Sequence, residues 1–385
     1  MTIVLQEGVI PAIRQKNDYA VVAITKHGVE IARRLNEQMS GTDVYYMSKF
    51  VKGDEDQRGI QLFEGSVRML FPALFPAYQG LIIIISLGAV VRMIAPLLQD
   101  KKKDPGVVVI DDKGEHVISV LSGHLGGANE LTHEVAAAIN ARAVITTASD
   151  VQKTIPVDLF GRRFGWTWES ADKLTPVSAA VVNEEKIAVI QESGEPNWWT
   201  HERSIPANIQ RFSSIAEGHA SEPNAVLLVT HRLLETEEQT ILQNGVLYRP
   251  KVIVLGIGCN RGTSAEEIEN VIVETLAELS FSIRSVKAVC TIDLKKDEEG
   301  LLEVTRKHGW EFHYYTPEQL NSVPVDAPSE TVHQYTGAYA VSEPAVKLYT
   351  DRNELILVKK KSGNVTISVG LLAFKEPVQL EMGGL

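Results

Sequence analysis

Cysteine is scarce in this sequence: Cys259 and Cys290 are its only two. That is too few for a disulfide framework and fits a reducing compartment. No Cys or His pair has the spacing of a zinc site, so no protein metal centre is expected. Long apolar runs are missing as well. The longest, Gly80–Leu87 (GLIIIISL), falls well short of the ~20 residues a membrane helix needs and has the length of a buried strand. The N-terminus, MTIVLQEGVIPAIRQKNDYA, lacks the charged start, apolar block and small-residue cleavage site of a signal peptide, so a cytoplasmic location is expected. Positive charge is in deficit: 38 Lys and Arg stand against 49 Asp and Glu, a net charge of −11. No basic run beyond Lys101–Lys103 stands out, which excludes nucleic acid and lipid surfaces as expected partners. Nucleotide signatures are incomplete. The P-loop pattern GxxxxGK[ST] is absent, and Gly256–Gly262 (GIGCNRG) has its glycines at the first, third and seventh positions, not at the first, third and sixth.

The chain does contain enough apolar residues, 44% of 385, for two or three globular cores. Residues 1–149 alternate strand and helix patterns. Tyr19–Thr25, Asp43–Met47, Gly80–Ser86 and Ala143–Thr146 read as strands; Gly28–Met39, Leu62–Leu74 and Glu130–Ile139 read as helices; Leu87–Leu98 reads as a turn and a helix. Val107–Ile110 and His116–Val120 flank the turn Asp111–Gly114 (DDKG), a hairpin signal. This predicts an N-terminal doubly wound, parallel-sheet α/β domain. Residues 150–250 lack clean helical periodicity; with a hairpin over Val181–Gln191 and a strand at Ala225–Thr230, they are expected to form an α+β middle domain. Residues 251–385 form a second α/β pattern. It has strands at Val252–Gly256, Val286–Ile292 and Glu311–Tyr315, and a helix over Ser264–Leu279 opened by a Ser264/Glu267 capping box. A second helix covers Asp297–Lys307, and a last one, capped by Ser342, runs through Tyr349. A hairpin follows over Leu355–Val358 and Asn364–Val369.

Three glycine-bearing loops follow predicted strands: Ser86–Arg92 (SLGAVVR), Ser122–Glu130 (SGHLGGANE) and Gly256–Gly262. In open α/β sheets ligands bind beyond strand C-termini, where glycine admits a close approach and the next helix offers amides to an anion. The same glycines also serve a plain turn. The middle loop is the most informative, because it sets His124 between a strand end and a helix N-terminus, with Asn129 and Glu130 in the first helical turn. Histidine titrates near neutral pH and suits proton transfer. Cys259 sits at a strand end and reads better as a small buried thiol than as a nucleophile. Lys295 is placed to contact a carboxylate, and Trp198–Trp199 either stack on a flat ligand or pack in a core.

The stretch Ser86–Asp150 (SLGAVVRMIAPLLQDKKK…AVITTASD) resembles the N-terminal domain of the cobalt-precorrin-5A hydrolase family. Leu174–Trp199 (LTPVSAAVVNEEKIAVIQESGEPNWW) resembles its middle region. Val252–Glu269 (VIVLGIGCNRGTSAEEIE), Cys290–Phe312, Ser329–Thr350 and Leu355–Gly370 resemble its C-terminal domain, which is itself similar to a stand-alone protein of the oxygen-dependent pathway. The resemblance leaves out roughly the first 50 residues. Cys290 departs from it, since the family more often has a small non-thiol residue there.

The resemblance implies a substrate: a cobalt-containing, ring-contracted tetrapyrrole carrying a δ-lactone. Hydrolysis opens the lactone, acetaldehyde leaves and cobalt-precorrin-5B remains. It also implies that no cofactor is needed, since cobalt arrives within the substrate, and that contacts with other enzymes of the corrin pathway are transient. Catalytic residues do not carry over and are expected on physical grounds. His124 or Glu130 is the expected base, with the amides of Gly123–Ala128 as oxyanion donors. Arg92 and Arg261 are expected to pair with substrate carboxylates. Ser86, Gly88, Ser122, Gly123, Gly126, Gly127, Asn129, Gly258, Asn260 and Gly262 are expected to line the substrate. The loops Ser86–Arg92 and Ser122–Glu130 should lie side by side, with Gly256–Gly262 facing the same cleft. The alternative is a carrier that shelters a tetrapyrrole without turning it over.

Overall fold

A computed structural model describes residues 2–100, 102–326 and 328–374, which leaves Lys101 outside. The chain forms two compact units, Met1–Lys153 and Thr154–Leu385.

The first unit is built on one sheet of β1 (Thr2–Val4), β2 (Tyr19–Ala23), β3 (Thr42–Met47), β4 (Gln61–Glu64), β5 (Gly80–Ile84), β6 (Gly106–Ile110), β7 (His116–Leu121) and β8 (Arg142–Val144). Their order is β1-β4-β3-β2-β5-β6-β7-β8. β2, β5 and β6 have no polar face because both sides are covered. Val21, Ala23, Ile82, Ile84, Val108 and Ile110 meet the helices Lys26–Gln38 and Ala128–Ile139. Ala20, Val22, Leu81, Ile83, Val107 and Val109 meet Phe71–Ala77 and Leu87–Ile94 on the other face, the two-residue alternation of a pleated strand.

The expected hairpin at Asp111–Gly114 forms, and it has a topological consequence. β6 runs parallel to β5, whereas β7 runs antiparallel to β6 and β8 follows β7. The C-terminal ends of β2, β5 and β6 therefore share one edge of the sheet, and those of β7 and β8 lie on the opposite edge. The helix expected over Leu62–Leu74 is a strand at its start. Parallel pairing with β3 captures Leu62 and Phe63 into β4, and the helix begins only at Phe71.

The second unit holds two sheets. One contains β9 (Thr167–Trp168), β10 (Ile187–Gln191), β11 (Ile209–Phe212), β12 (Ala225–Val229) and β13 (Gly245–Arg249) in the order β11-β10-β12-β13-β9. All its pairings are parallel except β13 with β9, so this α+β region has a parallel core. Val181–Gln191 is not a hairpin. The helix Leu174–Val182 buries Val177 and Val181, Glu184 turns the chain at φ 57°, and β10 follows.

The other sheet contains β14 (Ile253–Cys259), β15 (Val286–Ile292), β16 (Glu311–Tyr315), β17 (Leu357–Ser362) and β18 (Val365–Leu371) in the order β16-β15-β14-β18-β17, with β17–β18 the expected hairpin. Gly256 lies inside β14, where a Cβ would come within 1.9 Å of the Ser342 carbonyl oxygen; its absence lets the helix Ser342–Thr350 rest on the strand. Ser342 is inside that helix and does not cap it, because its hydroxyl bonds Ser368 Oγ at 2.9 Å. The Ser264 cap forms. Its reciprocal half does not, since the Glu267 carboxylate accepts from the Asn364 amide at 2.9 Å.

Candidate active site

The turn after β7 is tightly wound. Ser122 is held at φ 56° and Gly127 at φ 77°, and a Cβ on Gly126 would lie 2.3 Å from that of Ser122. The Gly127 amide donates to His124 O at 2.9 Å, Ala128 to Ser122 O at 3.2 Å and Asn129 to Gly123 O at 2.9 Å. These amides close the turn, which corrects the expectation that Gly127 and Ala128 serve an oxyanion.

The winding presents His124 to Asp150, which follows β8 on the helix Ala148–Gln152. His124 Nε2 is 2.7 Å from Asp150 Oδ2 and 3.2 Å from Ser149 Oγ. Asn129, buried in the first turn of its helix, braces the pair. Its Oδ1 accepts from Ser119 at 2.6 Å, and its Nδ2 donates to Thr147 Oγ1 and to Asp150 Oδ2, both at 3.0 Å. The hydrogen bond from His124 holds the Asp150 carboxyl below its ordinary value, against the opposing effect of burial. An ionised Asp150 favours the imidazole tautomer that carries its proton on Nε2. The His124 side chain retains 15% of its surface, so water can reach it. Glu130 stands exposed in the same first turn as Asn129. Sequence reasoning missed Asp150, Ser149 and Thr147. The signal for them was the polar run TTASD after a short strand that pairs with β7.

The other sequence-expected residues divide differently. Ser86 occupies the N-cap position of the helix Leu87–Ile94, so Gly88 and Arg92 are helical and Arg92 Nη1 reaches back to Gly88 O at 3.4 Å. This turn and the His124 turn are not side by side. β7 is reversed relative to β5, and the five residues of β5 put about 17 Å between the two edges. Arg92 thus cannot serve a ligand group held at His124. The Ser86 edge has its own histidine, exposed His27, 3.2 Å from Asp112, which also accepts from Thr25.

In the second unit Gly258 lies within β14, and only Asn260–Gly262 forms a turn. Asn260 bonds Asn364 at 2.7 Å, Arg261 Nη1 bonds Asp297 at 2.7 Å, and the Gly262 amide donates to Glu298 at 2.7 Å. Lys295 finds its carboxylate in Glu298 at 3.1 Å. Burial pushes the Cys259 thiol up to about 11 and the Cys290 thiol higher still, so neither supplies a thiolate at neutral pH. Trp198 packs on Phe160 with ring centres 5.2 Å apart and donates to Gln191 at 3.0 Å, a core position.

A histidine–carboxylate pair braced at the ends of adjacent strands of an α/β sheet has the parts that proton transfer on a small molecule requires. Comparison with known proteins narrows the class. Residues 69–150 match the model of the cobalamin synthesis G N-terminal region, 155–250 that of the cobalamin biosynthesis central region and 253–370 that of the cobalamin synthesis G C-terminus. The chain is 69% identical over 370 residues to a cobalt-precorrin-5A hydrolase of Priestia megaterium, covering 96% of this chain and 99% of that one. It is 29% identical over 360 residues to the cobalt-precorrin-5A hydrolase of Salmonella typhimurium, covering 91% and 97%. A solved cobalamin biosynthesis protein G homolog from Sulfolobus solfataricus aligns over 92% of this chain and 97% of its own, at 19% identity and a TM-score of 0.35. The chain belongs to the cobalt-precorrin-5A hydrolase family. Among the described residues no helix is long and apolar enough to cross a membrane.

Proposed function

We propose that this chain opens the δ-lactone of cobalt-precorrin-5A in cobalamin biosynthesis, with His124 as the general base and Asp150 as its positioning partner. Membership of the family supports the reaction. The observation that carries the site is the 2.7 Å contact between His124 Nε2 and Asp150 Oδ2, locked by Asn129. Water attacks the lactone carbonyl as the His124 imidazole takes its proton, and the imidazolium so formed lies against the Asp150 carboxylate. Collapse of the tetrahedral intermediate breaks the ring C–O bond, and the alkoxide takes the proton back. The freed hydroxyl gives its proton to the same imidazole, the carbon–carbon bond breaks in the retro-aldol sense with its electron pair left on the macrocycle carbon, acetaldehyde leaves, and the imidazolium returns the proton to that carbon. One base that cycles between its two states serves both steps, worth roughly 10²–10⁴ in rate for the transfer it assists. In this reading cobalt is part of the substrate, the chain needs no cofactor of its own, and it works in the cytoplasm, where its two free thiols stay reduced.

The test is turnover. Purified protein is incubated with cobalt-precorrin-5A, and acetaldehyde is followed by its reduction with alcohol dehydrogenase and NADH. Stoichiometric acetaldehyde is expected; tight binding of the tetrapyrrole with no acetaldehyde would establish the carrier instead.

A further inference from the structure

In the sheet β11-β10-β12-β13-β9 the strand order reverses between β10 and β12. The chain leaves these neighbours in opposite directions, so the loops after them part and leave a crevice at their carboxyl ends, where open α/β sheets bind ligands. A cavity of about 710 Å³ opens there, within the ~300–1,000 Å³ range of ligand sites. Residues at the end of β18 and just beyond form part of its wall.

Its lining has a built polar centre. Ser193, after β10, meets His231, after β12, with Oγ 3.0 Å from Nδ1. His231 is buried edge-on against Phe281, ring centres 4.7 Å apart, and burial pushes it down to about 4, which keeps it neutral. Gln191 Nε2 braces the Ser193 loop by donating to the carbonyls of Ser193, Gly194 and Glu195. Glu192 is turned into an ion pair with Arg232 at 2.8 Å, and the wall also carries Glu217, Arg211, which lies 5.6 Å over the Trp198 ring, and Arg352, which is partly exposed and 3.7 Å from the exposed carboxylate of Glu354. Phe212, Leu372 and Phe374 supply apolar surface. The mechanism above uses none of these groups.

We propose that this cavity is a second binding site on the chain and takes one carboxylate-bearing edge of a tetrapyrrole macrocycle. The ring face lies on Phe212, Leu372 and Phe374, a side-chain carboxylate takes the place of the exposed Glu354 on Arg352, and the Ser193–His231 pair hydrogen-bonds a ligand oxygen. A guanidinium fork matches a carboxylate, and an apolar wall with a few convergent polar groups matches a macrocycle with a polar rim. The choice of ligand class rests on the family reading; the position of the site rests on the topology and the cavity.

All five tryptophans, Trp166, Trp168, Trp198, Trp199 and Trp310, belong to this unit, so a corrin bound within it would quench their emission. The probe is cobyrinic acid, a cobalt corrin with free carboxylates and no lactone, titrated into the full-length protein. Saturable quenching is expected. Arg352→Ala should weaken it on the order of tenfold, and Ser193→Phe, which fills the space beside His231, should abolish it. His124→Ala should leave it unchanged. Circular dichroism checks that each variant is folded; if Ser193→Phe is not, Arg352→Ala and His231→Gln carry the decision. No saturable quenching, or wild-type affinity in the folded cavity variants, overturns the proposal. Acetaldehyde release by the wild-type protein is scored separately, so turnover without quenching defeats only this site and quenching without turnover defeats only the hydrolase reading.

Discussion

The turns Ser122–Gly127 and Asn260–Gly262 look alike in sequence, each a polar, glycine-bearing link from a strand to a helix with one chemically capable side chain. The structure uses them in opposite ways. In the first, the adjacent strand β8 brings Asp150 to His124, and Asn129 fixes both, so the histidine is oriented and remains accessible. In the second, the segment after β15 brings Asp297 and Glu298 to Arg261 and Gly262, which ties the turn to its own sheet. A glycine turn takes its character from what the neighbouring strand delivers to it: an oriented, accessible histidine in the first case, a fastening in the second.

That contrast breaks most readily at His124. His124→Ala should lower acetaldehyde release by about 10²–10⁴ with little change in corrinoid affinity, as single-turnover and binding measurements would reveal; full turnover would make the histidine a turn residue. Asp150→Asn keeps an acceptor but loses the charge that fixes the tautomer, so kcat should fall by about tenfold or more. The acid limb of the pH profile sharpens the same point. Because the Asp150 carboxyl lies below its ordinary value in the folded protein, the stabilisation from its pairing is complete above the ordinary carboxylate range and is lost as pH falls through the lower folded value. Denaturation midpoints from pH 7 to 3 should show this acid loss, and it should shrink in Asp150→Asn.

Stability distinguishes the two turns next. Gly126→Ala drives a methyl group into Ser122 and should cost about 1–3 kcal/mol in urea unfolding. Gly262 has open space around it and only its φ of 77° to defend, so Gly262→Ala should cost about 1 kcal/mol. The smallest effects are expected at Arg261 and the two thiols. Arg261→Ala should leave kcat within about twofold, its ion pair being solvent-exposed. Cys259→Ser and Cys290→Ser should stay within about tenfold; complete loss in folded Cys259→Ser protein would restore a nucleophilic role.

Much of the fold was readable from local pattern. The strands β2, β5 and β6 are apolar throughout because each is covered on both faces, and DDKG announces the β6–β7 hairpin. Direction was harder to read. The hairpin itself was recognised, but its effect, carrying His124 to the edge opposite Ser86 and Arg92, requires following strand direction across the whole sheet. Leu62 and Phe63 read as helical because their spacing suits a helix, and pairing with β3 overrode that preference. His124 was legible as a histidine between a strand and a helix. Asp150 was not, since the contact spans 26 residues and depends on β8 pairing with β7. Ser193 and His231, 38 residues apart, were likewise invisible until β10 and β12 became neighbours.

By itself, then, the sequence determined what hydrophobic period and turn chemistry can encode: α/β composition, buried strands, the hairpins, an acidic surface, and a family resemblance spread over most of the chain. Only the tertiary structure decided which edge each strand end occupies and which distant side chain meets which. The physical reason is that strand direction is set by pairing partners and hydrogen-bond networks close across loops, and both are contacts between residues far apart in the chain.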